Sequence, residues 1–294
     1  MTDFTWPEGK KLALSIVVNV EEGSEMSVAE GDKKPEPVDE LGVALSIPIR
    51  NYMNESNYAY GINAGADRIL DLIDERDYRT TVTAAGLALE RAPKLVERIV
   101  AAGHEVCSHG WRWVHQFSMK EDRERDFIRH AADSIETTTG ARPKGWLSRY
   151  LHTPQTQRLL LEEGYLYHMD NLSADMPFWQ SVDIGEGVAK PLLVVPYAVD
   201  TNDMKLWTSP SYTPQDWLDY NIGSFDWLLR ESAAKGPRMT SVGLHLRVIG
   251  RPGRIWALEK FLQHVDSHRD AVWIASRADI AEAWAAAHPW EASA

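Results

Sequence analysis

Strand-like and helix-like segments alternate along almost the whole of this 294-residue chain. The run from Leu12 to Asn19 is apolar and β-branched, as in a buried strand, whereas Ala64 to Arg76 has the spacing of an amphipathic helix. About seven such strand–helix pairs follow one another, and alternation of this kind is typical of a parallel sheet covered by helices. The pattern therefore predicts an α/β protein in which residues 1–294 form a single distorted (β/α)7-type barrel.

One stretch interrupts the alternation, at about residues 24–63. It has no clear periodicity and includes a charged, proline-bearing segment at residues 31–37. Loops of this length in a compact domain are usually functional or lie at an interface. We therefore predict a long irregular insertion whose side chains help to select the substrate.

The charge balance limits the kinds of partner. The chain has 43 acidic and 31 basic residues, a net charge of −12, whereas nucleic acid and anionic membrane surfaces attract basic proteins. The single cysteine, Cys107, excludes an intrachain disulfide, and the N-terminal residues carry no recognisable secretory signal. We expect a cytoplasmic protein that binds a small molecule and neither nucleic acid nor a membrane.

Four ionisable residues stand where strands are predicted to end. Glu21 and Glu22 follow the first strand, and His109 and His245 follow later ones. The carboxyl ends of parallel barrel strands meet on one face, which places these side chains around one small substrate. Adjacent residues of an extended chain point to opposite sides, so one glutamate can act as a base while the other orients a partner. Histidine exchanges protons near neutral pH, although a solvated acidic turn and packed histidines are the alternatives.

Further side chains near the strand ends are candidates for contact with the substrate. Arg149 is suited to hold a carboxylate or an oxyanion, or else pairs with a neighbouring acid. The polar run from Asp200 to Asp203 offers groups that grip amide edges, or is only a turn. Tryptophans after the strands either wall a pocket or pack in the core. The predicted substrate-binding residues are Trp111, Trp113, Arg149, Tyr150, Asp170, Asn202 and Asp203.

Five stretches in a fixed order carry a resemblance to a known family. They are residues 18–25, 103–113, 138–146, 195–204 and 244–254. With them the chain resembles the polysaccharide-deacetylase (NodB-homology) superfamily, and within it the branch of metal-independent allantoinases and cyclic-imide hydrolases. The resemblance extends from Trp6 to Trp284 and implies a deacetylase-type barrel that assembles as a homodimer or homotetramer.

The departures from the family pattern concern the metal site. Metal-dependent members carry two aspartates in the first motif, where this chain has Glu21 and Glu22, and two histidines four residues apart in the second. Here the second histidine is replaced by Trp113, which cannot bind a metal, so the resemblance implies that no metal cofactor is used. If Zn²⁺ were bound, Glu22 and His109 would be the candidate ligands. His245 matches the family's late histidine, which assists the leaving group.

Three functions follow from these residues. The first is metal-independent hydrolysis of a C–N bond in a small cyclic amide, imide or ureide, with Glu21 or Glu22 as the base and His109 and His245 as acid or oxyanion partners. The second is metal-dependent N-deacetylation of an amino sugar or oligosaccharide. The third is a non-catalytic barrel that binds a ligand.

Overall fold

The computed structural model describes residues 4–197 and 199–291 and has one twisted sheet of nine strands in that part of the chain. The strands are β1 (Leu12–Val20), β2 (Thr81–Ala84), β3 (Glu105–Ser108), β4 (Gly145–Trp146), β5 (Tyr167–His168), β6 (Phe178–Asp183), β7 (Ala189–Val194), β8 (Arg238–His245) and β9 (Val272–Ile274).

The helices are α1 (Tyr52–Tyr60), α2 (Ala66–Asp74), α3 (Gly86–Arg91), α4 (Pro93–Ala101), α5 (Glu121–Thr139), α6 (Thr156–Glu162), α7 (Pro214–Lys235), α8 (Pro252–Asp266) and α9 (Arg277–Ala287). A π-helical turn at residues 61–65 joins α1 to α2. None of the helices in the described residues has the length and apolar character needed to cross a bilayer.

The order of the strands confirms the predicted α/β barrel architecture. The sheet runs β6-β7-β5-β4-β3-β2-β1-β8, and β9 pairs with the first residues of β1. All pairs are parallel except β6 with β7, which form an antiparallel hairpin that the sequence analysis did not predict. The hairpin turn contains Gly185 and Gly187, both with positive φ angles. At the β8 edge, Gly243 forms a single parallel bridge with Asn202.

The central strand β1 is buried along its whole length, and its two faces serve different layers. Leu14, Ile16 and Val18 pack in the cluster that includes the surrounding helices, while Ala13 and Val17 face the barrel interior. Because side chains alternate along a strand, the interior face continues through Asn19 to residue 21, and the helix-facing side continues to residue 22. The strand thus determines which of the two glutamates enters the barrel.

The irregular insertion is shorter than predicted, because the chain becomes helical at Tyr52 rather than at Ala64. Asn51 begins this helix, and its side-chain oxygen accepts a hydrogen bond from the backbone of Asn54 (3.1 Å). The buried amide of Asn54 in turn donates to backbone carbonyls at residues 36 and 38 of the insertion. A polar residue thus occupies a buried helix position, so apolar periodicity does not reveal the helix.

Glycines allow the helical segment to pack directly on the loop that follows β8. A Cβ atom at Gly65 would clash with the backbone oxygen of Leu246. A Cβ atom at Gly250 would lie 2.6 Å from the Cα of Gly65. The two backbones therefore touch at a point where only glycine fits.

We expect Gly65→Ala to lower the free energy of unfolding by about 1–3 kcal/mol or more, because the added methyl group must displace backbone. Gly253→Ala is the matched control, since nothing lies within 4 Å of a Cβ atom at this position of α8. Alanine should be neutral there or stabilise by up to about 1 kcal/mol. Urea midpoints measure both variants, and equal midpoints would contradict the close packing.

Candidate active site

Glu21 lies at the centre of a buried group of charged residues at the end of β1. Its Oε2 is 2.9 Å from Nη1 of Arg247, and its Oε1 is 3.4 Å from Nε2 of His245 and 3.6 Å from Nε2 of His109. Burial alone would raise the pKa of Glu21, but His245 and Arg247 outweigh it and hold the pKa well below its usual range. Glu21 is therefore an ionised carboxylate inside the barrel.

Glu22 is buried on the other side of the strand, as the alternation of β1 requires. Its Oε2 accepts a hydrogen bond from the backbone N–H of Glu21 (3.0 Å), and its Oε1 is 3.5 Å from Nη1 of Arg247. The carboxylate is seated against Gly61, where a Cβ atom would clash with it. Burial raises the pKa of Glu22, only partly offset by Arg247. The pKa values of the two glutamates are thus shifted in opposite directions, and their side chains lie on opposite sides of the strand.

His245 is held as an imidazolium between two carboxylates. Its Nδ1 is 2.6 Å from Oδ1 of Asp203, and its Nε2 faces Glu21. Burial lowers the pKa of His245, but Asp203 and Glu21 together overcome this and raise it from 6.5 to about 10. A protonated His245 is suited to donate a proton, so of the acid and base roles open to it, the geometry favours the acid.

Asp203 supports His245 instead of contacting the cavity, which corrects its predicted role in substrate binding. It is fully buried, and its Oδ2 accepts hydrogen bonds from the backbone N–H groups of His245 (2.7 Å) and Ile249 (3.1 Å). The carboxylate therefore fixes both the ring of His245 and the turn that follows it.

His109 has both ring nitrogens occupied. Nδ1 lies 2.7 Å from the carbonyl oxygen of Leu147, which can only accept, so Nδ1 carries the proton. Nε2 lies 3.0 Å from Nε1 of Trp113, whose indole N–H can only donate. His109 is therefore the neutral tautomer with a lone pair directed at Trp113, and its 3.6 Å approach to Glu21 is not a hydrogen bond. No N–H of this ring remains for a substrate, which corrects its predicted part as acid or oxyanion partner.

Arg149 is a buried supporting residue and not a free anion-binding group. Its guanidinium forms an ion pair with Glu36 and donates to the backbone oxygen of Trp113 (2.6 Å). It also stacks on the Trp113 ring, with its Cζ 3.7 Å from the ring centroid. The predicted contact of its guanidinium with a substrate anion is corrected, because Glu36 already supplies the carboxylate. Arg149 and Glu36 fix the position of Trp113.

These residues surround a cavity of about 340 Å³ at the carboxyl ends of the strands. Its lining residues are Asn19, Glu21, His109, Trp113, Leu147, Ser148, Arg149, Tyr150, Met169, Asp170, Leu172, Tyr197, Val199, Asn202, Met204, Lys205, Thr208 and His245. A cavity of this size holds one small molecule.

Of the predicted substrate-binding residues, all but Asp203 and Trp111 line this cavity. Its indole N–H donates to Glu90 (3.1 Å), and its ring packs edge-on against His130, with 4.6 Å between centroids. Trp111 therefore packs on the helical layer, which corrects its predicted place in the pocket wall. Tyr150 is 66% exposed beside the cavity, in a left-handed backbone conformation with φ 52°.

Asp170 brings an unsatisfied acceptor to the cavity lining. Its Oδ1 accepts a hydrogen bond from the backbone N–H of Ser148 (2.8 Å). Its Oδ2 is buried and has no hydrogen-bond partner among the described residues. Buried polar atoms are nearly always paired, so this oxygen is suited to accept from a bound molecule.

The sequence analysis did not predict Asn19 or Tyr197 as site residues, although both line the cavity. Asn19 and Asn202 each donate a side-chain N–H to the hydroxyl of Tyr197, both at 3.0 Å. Asn19 precedes Glu21 by two residues, so the alternation of the strand could have indicated that it faces the interior. Tyr197 lies in the motif stretch 195–204, but an uncharged tyrosine there did not by itself indicate a part in the chemistry.

The donor atoms of the cavity do not fit a metal ion. Trp113 occupies the lone pair of His109, and Glu22, the other candidate ligand, is directed away from the cavity. In the described part of the chain, three donors of metal-binding type lie within 4.8 Å of one another only at Asp226, His264 and His268. That group lies between α7 and α8 and is not part of the cavity lining.

Comparisons with known proteins agree with this architecture. A family model described as polysaccharide deacetylase matches residues 56–166. A Schizosaccharomyces pombe protein named "Putative polysaccharide deacetylase" is 33% identical over 98% of this chain and 94% of its own length. The crystal structure of Puue allantoinase is 40% identical and superposes with a TM-score of 0.90, covering 97% of this chain and 94% of that one.

A second solved structure, named "probable Polysaccharide deacetylase" and from Pseudomonas aeruginosa PAO1, is also 40% identical, with a TM-score of 0.89 and coverage of 97% and 95%. These similarities confirm the resemblance found in the motifs and the expectation of a hydrolase that acts on C–N bonds. The chain belongs to the polysaccharide deacetylase family.

Proposed function

We propose that this protein hydrolyses a C–N bond in a small cyclic amide, imide or ureide without a metal ion. The observation that carries the proposal is the hydrogen bond from the indole N–H of Trp113 to Nε2 of His109. It occupies the nitrogen that a metal would need, at the position where metal-dependent relatives have a second histidine. The side chains must then supply the whole catalytic effect.

Glu21 and His245 are the proposed acid–base pair. Glu21 is ionised and accepts a proton from water, while His245 is protonated and donates one from Nε2. Asp203 keeps the imidazolium oriented, in the manner of a carboxylate behind a catalytic histidine. Arg247 positions the carboxylate of Glu21, and Glu22 accepts a hydrogen bond from its backbone N–H.

The proposed reaction balances without a cofactor. Water gives one proton to Glu21 as its oxygen bonds to the ring carbonyl carbon. His245 gives its Nε2 proton to the ring nitrogen as the C–N bond breaks. The new carboxylic acid returns a proton to His245, Glu21 releases its proton to solvent, and the products are a carboxylate and a ring-opened N–H group.

The cavity supports a small ring rather than a polymer segment. Its volume of about 340 Å³ suits one ring, and Trp113 and Leu147 offer flat or apolar surface. The unsatisfied Oδ2 of Asp170 is suited to accept a ring N–H, which amides, imides and ureides supply. The 40% identity to an allantoinase supports the same substrate class.

The test is hydrolysis of allantoin, succinimide, a hydantoin and an N-acetylated sugar by chelator-treated protein, with the metal content assayed in parallel. We expect turnover of at least one ring substrate that chelation and added Zn²⁺ leave unchanged. Turnover of the acetylated sugar alone, restored by Zn²⁺, would establish the metal-dependent deacetylase instead. No turnover, with thermal stabilisation by a ring compound, would indicate a binding barrel.

The two adjacent glutamates give a matched pair of variants. We expect Glu21→Gln to lower kcat by about 10²–10⁴-fold, because the general base is lost. Glu22→Gln makes the same chemical change at a side chain outside the cavity, and we expect it to lower kcat by less than about 10-fold, the effect of roughly one hydrogen bond. Single-turnover rates measure both, and the reverse ranking would assign the base to Glu22.

The pH dependence tests the role of Asp203. Activity requires protonated His245, so kcat/KM should fall as the pH rises through the His245 pKa of about 10. Asp203→Asn removes one of the two carboxylates that raise this pKa, so the alkaline fall should move to lower pH. The same raised pKa stabilises the fold fully below pH 6.5, and this contribution is lost as the pH approaches 10.

Asp200→Asn is the control for this shift, because Asp200 is exposed and accepts a hydrogen bond from Tyr220 at 2.8 Å. It should leave the alkaline limb of the pH profile unchanged. An unshifted limb in Asp203→Asn would show that His245 is not the group whose protonation limits the rate.

A further inference from the structure

We propose that the hydroxyl group of Tyr197 donates a hydrogen bond to the carbonyl oxygen of the substrate as water attacks, and so acts as an oxyanion donor. This inference rests on the proposed hydrolysis and adds a residue to it. It follows from the hydrogen-bond directions that the neighbours of Tyr197 impose.

The orientation of the Asn19 amide is fixed by a partner that can only accept. Its Nδ2 donates to the backbone carbonyl of Leu244 (3.0 Å), and its Oδ1 accepts from the hydroxyl of Thr83 (2.5 Å). Exchange of the two amide atoms would set one oxygen against another at Leu244. The atom 3.0 Å from the Tyr197 hydroxyl is therefore the nitrogen, which donates.

The orientation of the Asn202 amide is fixed by a partner that can only donate. Its Oδ1 accepts the backbone N–H of Met204 (2.9 Å), as a cap of the short 3₁₀ turn Asp203–Leu206. Its Nδ2 is then the atom 3.0 Å from the Tyr197 hydroxyl, and it also donates.

The Tyr197 oxygen therefore accepts two hydrogen bonds, and its own hydrogen is not used by either. A phenolic hydroxyl has a single hydrogen to donate, and because both asparagines donate to its oxygen, that hydrogen is directed at neither of them. No described residue accepts the hydroxyl hydrogen, although Tyr197 lines the cavity. Burial raises the pKa of the Tyr197 phenol, so the hydroxyl keeps its proton across the working pH range.

The hydroxyl lies next to the proposed acid–base pair. Asn19 pairs with His245 in the register of β1 with β8 and precedes Glu21 by two residues, on the same side of the strand. Gly243 precedes His245 by two residues, and a Cβ atom there would clash with the Tyr197 hydroxyl and lie 2.6 Å from Nδ2 of Asn202. The absence of a side chain at Gly243 therefore makes room for the hydroxyl at a position of β8 two residues before His245.

This arrangement separates two tasks in the reaction. As the water oxygen bonds to the carbonyl carbon, the C=O electron pair moves onto oxygen, and the Tyr197 O–H stabilises that charge without transferring its proton. The Nε2 proton of His245 then remains available for the ring nitrogen. Without such a donor, His245 alone would have to stabilise the charge on the carbonyl oxygen and protonate the ring nitrogen.

Tyr197→Phe tests the inference on the ring substrate that the wild-type protein hydrolyses. We expect kcat to fall by about 10²–10³-fold while KM changes by less than about 3-fold, because the hydrogen bond strengthens mainly in the transition state. Tyr167→Phe is the control, since that buried hydroxyl donates to Glu105 (2.8 Å) and does not line the cavity. It should leave kcat unchanged whatever it does to stability.

A vibrational measurement separates donation from a structural effect. In the Glu21→Gln background, where hydrolysis is slowed, the carbonyl stretch of the same ring substrate, bound and labelled with ¹³C, should lie at lower frequency than in the Glu21→Gln/Tyr197→Phe protein. Equal frequencies, or an unchanged kcat in Tyr197→Phe, would overturn the inference while the proposed hydrolysis stands. A wild-type protein that hydrolyses no ring substrate would overturn the proposed function itself, and this inference with it.

Discussion

The guanidinium of Arg247 is the charge on which the arrangement of the site depends. It is fully buried, and it lies within 3.5 Å of carboxylate oxygens of Glu21, Glu22 and Glu40. A buried charge is tolerated only with close partners, so each of these groups requires the others. Its face also packs on the ring of Tyr58, 4.1 Å from the centroid. One side chain thereby joins β8, the end of β1, the insertion and α1.

The insertion consequently contributes side chains that support the site, and it is not a peripheral addition to the barrel. It supplies Glu40 to Arg247 and Glu36 to Arg149, and both arginines are buried. Through Arg149 it fixes Trp113, and through Trp113 it fixes the tautomer of His109. A segment over residues 24–51 whose one regular element is the short 3₁₀ helix Val28–Glu30 thus determines the tautomer of a histidine on the barrel.

The sequence predicted the barrel and the strand ends because both are encoded locally, by apolar periodicity and by the residue that follows each run. The same alternation could have assigned Glu21 to the interior. It could not assign Arg247 or Glu36, whose importance comes from contacts between segments far apart in the chain. Asp203 and Trp111 show the related difficulty, since a polar or aromatic residue near a strand end faces the cavity or its supports according to side-chain packing alone. The helix at Tyr52 was missed because one of its two buried residues, Asn54, is polar.

The unpaired carboxylate oxygen of Asp170 has a consequence for how a turnover ends. Before the reaction it offers a neutral ring an acceptor, and ionised Glu21 is held by cations that are already present. After ring opening, the ligand is itself an anion, and the carboxylates of Asp170 and Glu21 in the cavity lining repel it. The same oxygen that admits the substrate then opposes the product. In the proposed reaction, ring opening therefore turns the Asp170 oxygen from an acceptor that holds the ligand into a group that repels it.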